Sequence, residues 1–524
     1  EGDKEEKDAA PTSQRDAKIL TAEALEQMIN RASDGKSFNP IRDLVRAFDA
    51  GCNVDEAEAK RAGGRWQIVS ASVYETLMGF CVTKMDSVLD DYLDISPDES
   101  GRKNAEKSAR FKSTSKLIKT YTGAVLRLLG EFKDTDMTNA LLRHVTAMLH
   151  YYAPFPKTCR LLLKASLRIW GSSEECRVAT FLLIRRMATA FPFPFIELCF
   201  KGLYLTFQRH AAFTNPGNWI AQGFMAQCVV ELYGLDLVLA YEHAFVYLRQ
   251  LAIQLRTAIA QNTKEARGAV STWTFSNSLR LWGRLLTAYA DQASLSPLVY
   301  PYVQIALGCM RMFNAPTWSP YRLQLAETLV HLATRRSVYI PLGPFLTEML
   351  LYPENVRRAK QQGNGSVELG ATLHLAKAQI TTRVVQAAVV SRVLRLVELY
   401  LAAYAFSVSF PEIFFPVSGQ LRKWLKKTEL SNYRRQVKDL LETAERSADW
   451  TERRRATLEM APKEATTLDM FKKDGSKGKD ACPLLAMRNE GEEDAKGVLR
   501  KRSAADEPSD DEVEDMADSG DESG

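Results

Sequence analysis

Paired cysteines are missing from this chain of 524 residues. Its eight cysteines stand singly at 52, 81, 159, 176, 199, 228, 309 and 482, with no C-x-x-C pair and no closely spaced Cys/His set. Zinc-site spacing is therefore excluded, and small, buried apolar thiols in a reducing compartment are expected. Histidine is scarce too: His144, His150, His210, His243, His331 and His374 include neither an H-E-x-x-H motif nor an i, i+4 pair. Each is expected to be a structural or surface histidine. No G-x-S-x-G elbow or recognised cysteine nucleophile motif occurs. No catalytic residue, metal ligand or cofactor is assigned, and the protein is not expected to be an enzyme. Long hydrophobic runs are also lacking. The most apolar stretch, 384–406, is interrupted by Arg392, Arg395 and Glu398, which suit an amphipathic helix and not a bilayer centre, so no membrane partner is expected. The first ten residues are charged and no apolar core follows them, so a signal peptide is not expected; a start at Glu1 without Met suggests a trimmed chain.

What is present is an ordinary globular composition, 46% hydrophobic and 25% charged, in a chain too long for one growing core. Several domains or a repeat array are implied. Leu117, Tyr121, Ala124, Leu128 and Phe132 recur at steps of three and four, with Lys112, Lys116 and Lys119 on another face. Phe245, Leu248, Ala252, Leu255 and Ile259 form a second stripe, with Arg249 and Arg256 seven residues apart on a separate side. Strand alternation is not convincing anywhere, so the body reads as all-α.

The helical patterns are interrupted by aromatic residues combined with proline: Pro154-Phe155-Pro156, Phe191 to Phe195, Tyr300-Pro301-Tyr302, Tyr339-Ile340-Pro341 and Phe410-Pro411. Proline ends one helix and suits the first turn of the next, and the aromatic is expected to bury the corner. Pro154 to Pro192 spans 38 residues and Pro301 to Pro341 spans 40, close to a two-helix repeat. The expected fold is an all-α, divergent HEAT/armadillo-like α-solenoid with disordered termini. The boundaries read as a mostly disordered leader over 1–37 with one short helix at 21–30, a helical segment over 38–95 and a linker over 96–108. The solenoid then covers 109–460, followed by a basic tail over 461–502 and an acidic disordered tail over 503–524.

One run resembles chemistry. Asp90-Asp91-Tyr92-Leu93-Asp94 has the D-D-x-x-D spacing that places carboxylates on one helix face for Mg²⁺ and a diphosphate, but no second acidic cluster faces it. A solvated helix end is the alternative. Gly363-Asn364-Gly365 and Gly370 lack a preceding strand and a following Gly-Lys-Ser/Thr, so a loop is expected there.

Charge is more informative. The net charge of +5 conceals a separation of signs. Arg422, Lys423, Lys426, Lys427, Arg434, Arg435, Lys438, Arg446 and Arg453 to Arg455 make eleven cations against six acids over 422–455, with Trp424 and Tyr433 interleaved. That pattern fits either an RNA-phosphate surface or the solvated face of a terminal helix. Residues 102–119 hold seven bases and one acid, with the same two readings. Arg500-Lys501-Arg502 resembles a nuclear-import signal, and Ser509 and Ser519 each precede acids in a pattern read by acidophilic kinases. Residues 503–524 carry ten acids and no Lys or Arg, a composition shared by histone-binding chromatin or transcription regulators.

Through 200–204 (FKGLY), 241–259, 297–307 (PLVYPYVQIAL), 339–346 (YIPLGPFL), Phe410-Pro411-Glu412 and 421–438, the chain resembles the nucleolar complex protein 2 family. The order and spacing of these blocks cover roughly 110–460. The resemblance implies a non-catalytic solenoid of the nucleus, nucleolus and nucleoplasm. Its partners would be other nucleolar complex proteins of the CCAAT-binding-factor type, pre-60S and earlier pre-ribosomal particles, and rRNA. The implied role is large-subunit assembly, rRNA maturation and intranuclear transport. In that context Arg422, Lys423, Lys426, Lys427, Arg434, Arg435, Lys438, Arg249 and Arg256 are the RNA- or partner-binding candidates, and Arg322 is a further surface candidate. Tyr321 departs from the family's usual aliphatic residue, and 1–108 matches weakly.

Overall fold

The computed structural model of the chain describes residues 18–34, 37–52, 66–98, 103–131, 134–362, 367–457, Phe471 and Leu484. Gly363 to Gly365, Cys482, Arg500 to Arg502, Ser509, Ser519 and the two termini lie outside them. Within the described residues nearly all regular structure is α-helical, as the periodicity requires. The exceptions are short 3-10 turns, an isolated bridge between Gln361 and Thr382, and a short parallel pairing of β1 (Lys18–Ile19) with β2 (Trp66–Gln67).

The chain divides into two compact units, the first comprising 1–210 and 221–235 and the second 211–220 and 236–524. The first contains α1 (Ala22–Ser33), α2 (Phe38–Gly51), α3 (Ala71–Leu93), α4 (Phe111–Glu131), α5 (Thr135–Ala147), α6 (Leu149–Tyr152), α7 (Pro156–Ser172), α8 (Arg177–Ala190) and α9 (Phe195–His210). It also holds most of α10 (Trp219–Tyr233). The second contains α11 (Leu237–Gln261), α12 (Lys264–Val270), α13 (Trp273–Ala288), α14 (Val299–Met312), α15 (Ser319–Arg336), α16 (Gly343–Leu350), α17 (Pro353–Val356), α18 (Arg383–Tyr404), α19 (Phe410–Lys427) and α20 (Ser431–Ala456).

Helices start where a side chain or proline satisfies the free first turn. Thr21, Asp134, Asp236, Thr263 and Thr272 accept backbone N–H bonds at their caps. Pro156, Pro320, Pro344, Pro353 and Pro411 occupy first-turn positions. Packing is solenoid-like in each unit: α2 rests on α4, α4 on α7 and α7 on α9, while α11 rests on α14, α13 on α15 and α15 on α18.

Several expectations change in detail. Helix α1 packs on α2 and α3, and Leu25 is fully buried, so the folded unit begins before Phe38. In the stretch read as a linker, Ala105 is buried and Ser108 donates to Leu93 O at 2.8 Å, inside one compact unit. At the aromatic-proline breaks Phe191, Phe195, Tyr302 and Phe410 are buried, whereas Phe193, Tyr300 and Tyr339 face outward. The buried side of α11 is Ala244, Leu248, Leu251, Leu255 and Ala258; Phe245 and Ile259 are exposed. Steps of three and four fit two adjacent faces of one helix, and only the neighbouring helices choose between them.

The D-D-x-x-D run is a joint of the first unit. Asp90 accepts from Lys103 Nζ at 2.5 Å, His150 Nε2 at 2.9 Å and Tyr151 Oη at 2.7 Å, and Asp94 closes α3 in the left-handed conformation. Burial raises the Asp90 carboxyl, but the hydrogen bonds from His150, Lys103 and Tyr151 outweigh it and hold it below its ordinary range. Asp90 is thus engaged and 8% exposed, which corrects the solvated reading for this residue, while Asp91 and Asp94 are exposed at the helix end. Among the described residues no group of three potential ligands could hold a metal ion.

His144 is structural. Tyr121 Oη donates to Cys81 O at 2.7 Å and so accepts, at 2.8 Å, from His144, which places the ring proton on Nε2. Burial pushes the imidazole pKa down from 6.5 to about 4, against a smaller upward pull from Asp86. The unfolded chain therefore binds the proton first, and the first unit is expected to lose stability steadily as pH falls from about 6.5 to about 4. Hydrogen-exchange protection of α4 and α5 measured across that window checks this. His144→Gln, which keeps a donor for Tyr121, should flatten the dependence.

Candidate nucleic-acid and partner interface

Helix α19 ends in Lys426 and Lys427, where cations complement the free carbonyls of a helix C-terminus. Phe410, Phe414, Val417, Leu421 and Trp424 bury its other side, and α20 packs along it. This burial pattern turns Lys423, Lys426 and Lys427 outward together, and Lys438 is exposed on α20.

The remaining cations of the basic cluster are largely committed to the fold. Arg422 pairs with Glu445 at 2.5 Å, Arg434 donates to Thr428 O at 2.6 Å, and Arg455 pairs with Glu412 at 2.7 Å. Arg435 is the most open of them, with Asp439 3.9 Å away one turn on. The Arg454 guanidinium lies against both rings of the Trp450–Phe471 pair, 5.2 and 4.9 Å from their centroids. Trp424 is fully buried and donates Nε1–H to Asn355 O at 3.3 Å, and Tyr433 donates to Ala387 O. The Trp424 ring is therefore not free to stack on bases, contrary to the interleaving in the sequence, whereas the Tyr433 ring is half-exposed with its hydroxyl tied to the fold. What stays open is a patch of lysines together with Arg435, suited to backbone phosphates.

Cluster 102–119 divides in the same way. Lys103 holds Asp90, and Arg110 donates to Tyr92 O at 2.8 Å, while Lys112, Lys116 and Lys119 are exposed on α4.

Arg249 and Arg256 are exposed on α11, and the helical period places them on one side with Val238, Val246 and Ile253, which are also exposed. The result is a face of mixed apolar and basic character. Arg322, by contrast, is completely buried, which corrects its surface reading. Its guanidinium pairs with Glu348 at 2.6 Å, donates to Tyr352 Oη and lies over the rings of Phe345 and Tyr352. Tyr321 beside it is buried against Phe313 and Trp318 and donates to Val270 O at 3.3 Å, a use for the hydroxyl that an aliphatic residue lacks.

Sequence reading missed two anchors, Phe471 and Leu484, both buried. The Leu484 N–H donates to Ser447 Oγ at 3.3 Å on α20. An isolated Phe among lysines and the Pro483-Leu484-Leu485 triplet were the available signals. The seven described cysteines are all buried, and burial pushes Cys52 and Cys309 up to about 12, so they are inert apolar groups as expected. Among the described residues no helix is long and apolar enough to cross a membrane.

Stacked helices that leave a lysine patch and a mixed apolar and basic face open define a solenoid-like protein of the kind that presents long faces to other macromolecules. The chain belongs to the Noc2p family, whose family model matches residues 194–489. It is 29% identical over 474 residues to a nucleolar complex-associated protein 2 of Arabidopsis thaliana, covering 89% of this chain and 62% of that protein. It is 28% identical over 458 residues to nucleolar complex protein 2 of Drosophila melanogaster, covering 86% and 59%. A NOC2 family protein of Schizosaccharomyces pombe is 26% identical over 463 residues, covering 86% and 65%. The chain thus spans about six-tenths of the length of these relatives.

Proposed function

We propose that this chain is a nuclear and nucleolar subunit of ribosome-assembly complexes, a scaffold without catalysis that serves maturation and transport of the large-subunit precursor. The names of its relatives, nucleolar complex proteins from plant and fly, support the nucleolar and ribosome-biogenesis reading. Its partners on this reading are other nucleolar complex proteins, for which the α11 face with Arg249 and Arg256 is suited, and pre-60S particles. The observation that carries the RNA part is the lysine patch of Lys423, Lys426 and Lys427, turned outward while the arginines around it are tied to carboxylates and carbonyls.

A phosphate contact releases counterions, so the patch should reveal itself in salt dependence. Changing Lys423, Lys426 and Lys427 to Gln is expected to lower the slope of log K against log salt by roughly 2 to 3 for single- or double-stranded RNA, with little effect on stability. Titrations of labelled RNA at several salt concentrations measure this, and an unchanged slope returns the patch to a solvated helix end. Sedimentation of tagged chain from growing cells tests the assembly role separately. A chain found only free, away from large-subunit precursors, defeats it.

A further inference from the structure

The first unit carries a cationic surface that its own packing does not use. Helices α4 and α7 run parallel in it. Phe111 at the start of α4 and Phe155 just before α7 are 6.4 Å apart between ring centroids, and near the other end Arg168 of α7 donates to Gly130 O of α4 at 2.9 Å. Helix α4 lies between α2 and α7, α7 lies between α4 and α9, and α5 and α8 close their inner sides. The outer stripes of the two helices therefore face the same way. On α4 that stripe is Lys112, Lys116 and Lys119, and on α7 it is Lys157, Arg160 and Lys164, all exposed and each set confined to one side of its helix.

Nothing in the fold accounts for these charges. None of the six side chains has a hydrogen-bond or ion-pair partner among the described residues. Helix α7 has no acid, and the one acid of α4 is Glu131, its last residue. Lys112 and Lys157 stand in first turns that hold no acid, against the positive end of the helix dipole. The spacings 112–116–119 and 157–160–164 also set like charges three and four residues apart. Both placements weaken a helix. Side chains that oppose the stability of their own helices are expected where a ligand supplies the missing charge.

We propose that this face binds the phosphate backbone of double-helical RNA. Five of the six cations are lysines, which bind phosphate as point charges and are depleted at protein–protein interfaces, where arginine is favoured. Neither helix exposes an aromatic ring, and Leu161 is the one large apolar side chain exposed on the two, so the face has no platform for unstacked bases. A duplex presents the denser phosphate array and keeps its bases stacked. Packed helices lie about 8–10 Å apart and each stripe runs over about 10 Å, so the cations form a compact double row that several phosphates reach at once. The surface belongs to the first unit; it goes beyond the patch at Lys423, Lys426 and Lys427 and does not depend on it.

The test uses the full chain and a blunt RNA duplex without single-stranded ends. Two triple variants are compared with the parent, Lys112→Gln with Lys116→Gln and Lys119→Gln, and Lys157→Gln with Arg160→Gln and Lys164→Gln. Each should lower the slope of log K against log salt by roughly 2 to 3, and the two combined by roughly 5. The same loss is expected when Lys423, Lys426 and Lys427 are already Gln. Lysine acetylation read by mass spectrometry should show the duplex protecting the five lysines of the face. Because these cations oppose the helix dipole, the variants should unfold at the urea concentration of the parent or higher, so a lower slope is not a sign of lost structure. An unchanged slope or unprotected lysines overturns the proposal. So does stronger protection by single-stranded RNA or by poly-glutamate at equal salt, which would give the face to another ligand, and so does a variant clearly less stable than the parent, which would give the charges to the fold.

Discussion

Glu348→Ala should destabilise the second unit by about 3 kcal/mol or more, because it leaves the Arg322 guanidinium buried without its counter-charge. Arg322 has no accessible surface, whereas the Glu348 side chain is 47% exposed. The two halves of this ion pair are therefore not equivalent. Removing the arginine, as in Arg322→Met, leaves a carboxylate that water can solvate, and Met fills part of the space between Phe345 and Tyr352. That change should cost clearly less than Glu348→Ala. Hydrogen exchange of the α15 and α16 amides measures both, and an equal or reversed order means that the pair is not what stabilises this corner.

The second large effect is expected at Gly283. A methyl group there would stand 2.1 Å from Tyr302 Oη, 2.4 Å from Thr328 Cγ2 and 2.7 Å from Tyr302 Cζ. Tyr302 is itself fully buried, so it has nowhere to move. Alanine is favoured over glycine in a helix by about 1 kcal/mol, but forced overpacking of a dense core costs typically 1–3 kcal/mol and here involves three atoms. Gly283→Ala should thus destabilise by about 1–2 kcal/mol net. Because the Tyr302 hydroxyl is buried without a hydrogen-bond partner, Tyr302→Phe by itself should be nearly neutral. It should also recover part of the Gly283→Ala loss, since it removes the nearest of the three atoms. A double-mutant cycle followed by urea denaturation gives the coupling. Simple additivity would show that α13 and α14 separate to admit the methyl group.

Much of this was readable in the linear order of residues. Helical periodicity, proline with aromatics at the breaks and the scattering of cysteine are local properties, and they led to an all-α stack of helices. The blocks from 200–204 to 421–438 led to the family now shown by the match over 194–489. The candidate interface was only half legible. Eleven cations over 422–455 look alike in sequence, yet Arg422, Arg434 and Arg455 are held by Glu445, Thr428 and Glu412 while Lys423, Lys426 and Lys427 are turned outward. Trp424 looked like a stacking ring and is a core residue.

Residue order thus determines which segments become helices, because capping, proline and the 3.6-residue period act over a few neighbours. It does not decide which charges stay free. Whether Arg322 is a surface contact or a buried cation, and whether Asp90 holds a metal or His150, depends on partners brought from tens of residues away: Glu348 and Tyr352 in one case, Lys103 and Tyr151 in the other. Burial in a low-dielectric interior makes such partners obligatory, and only the packing of whole helices brings them together.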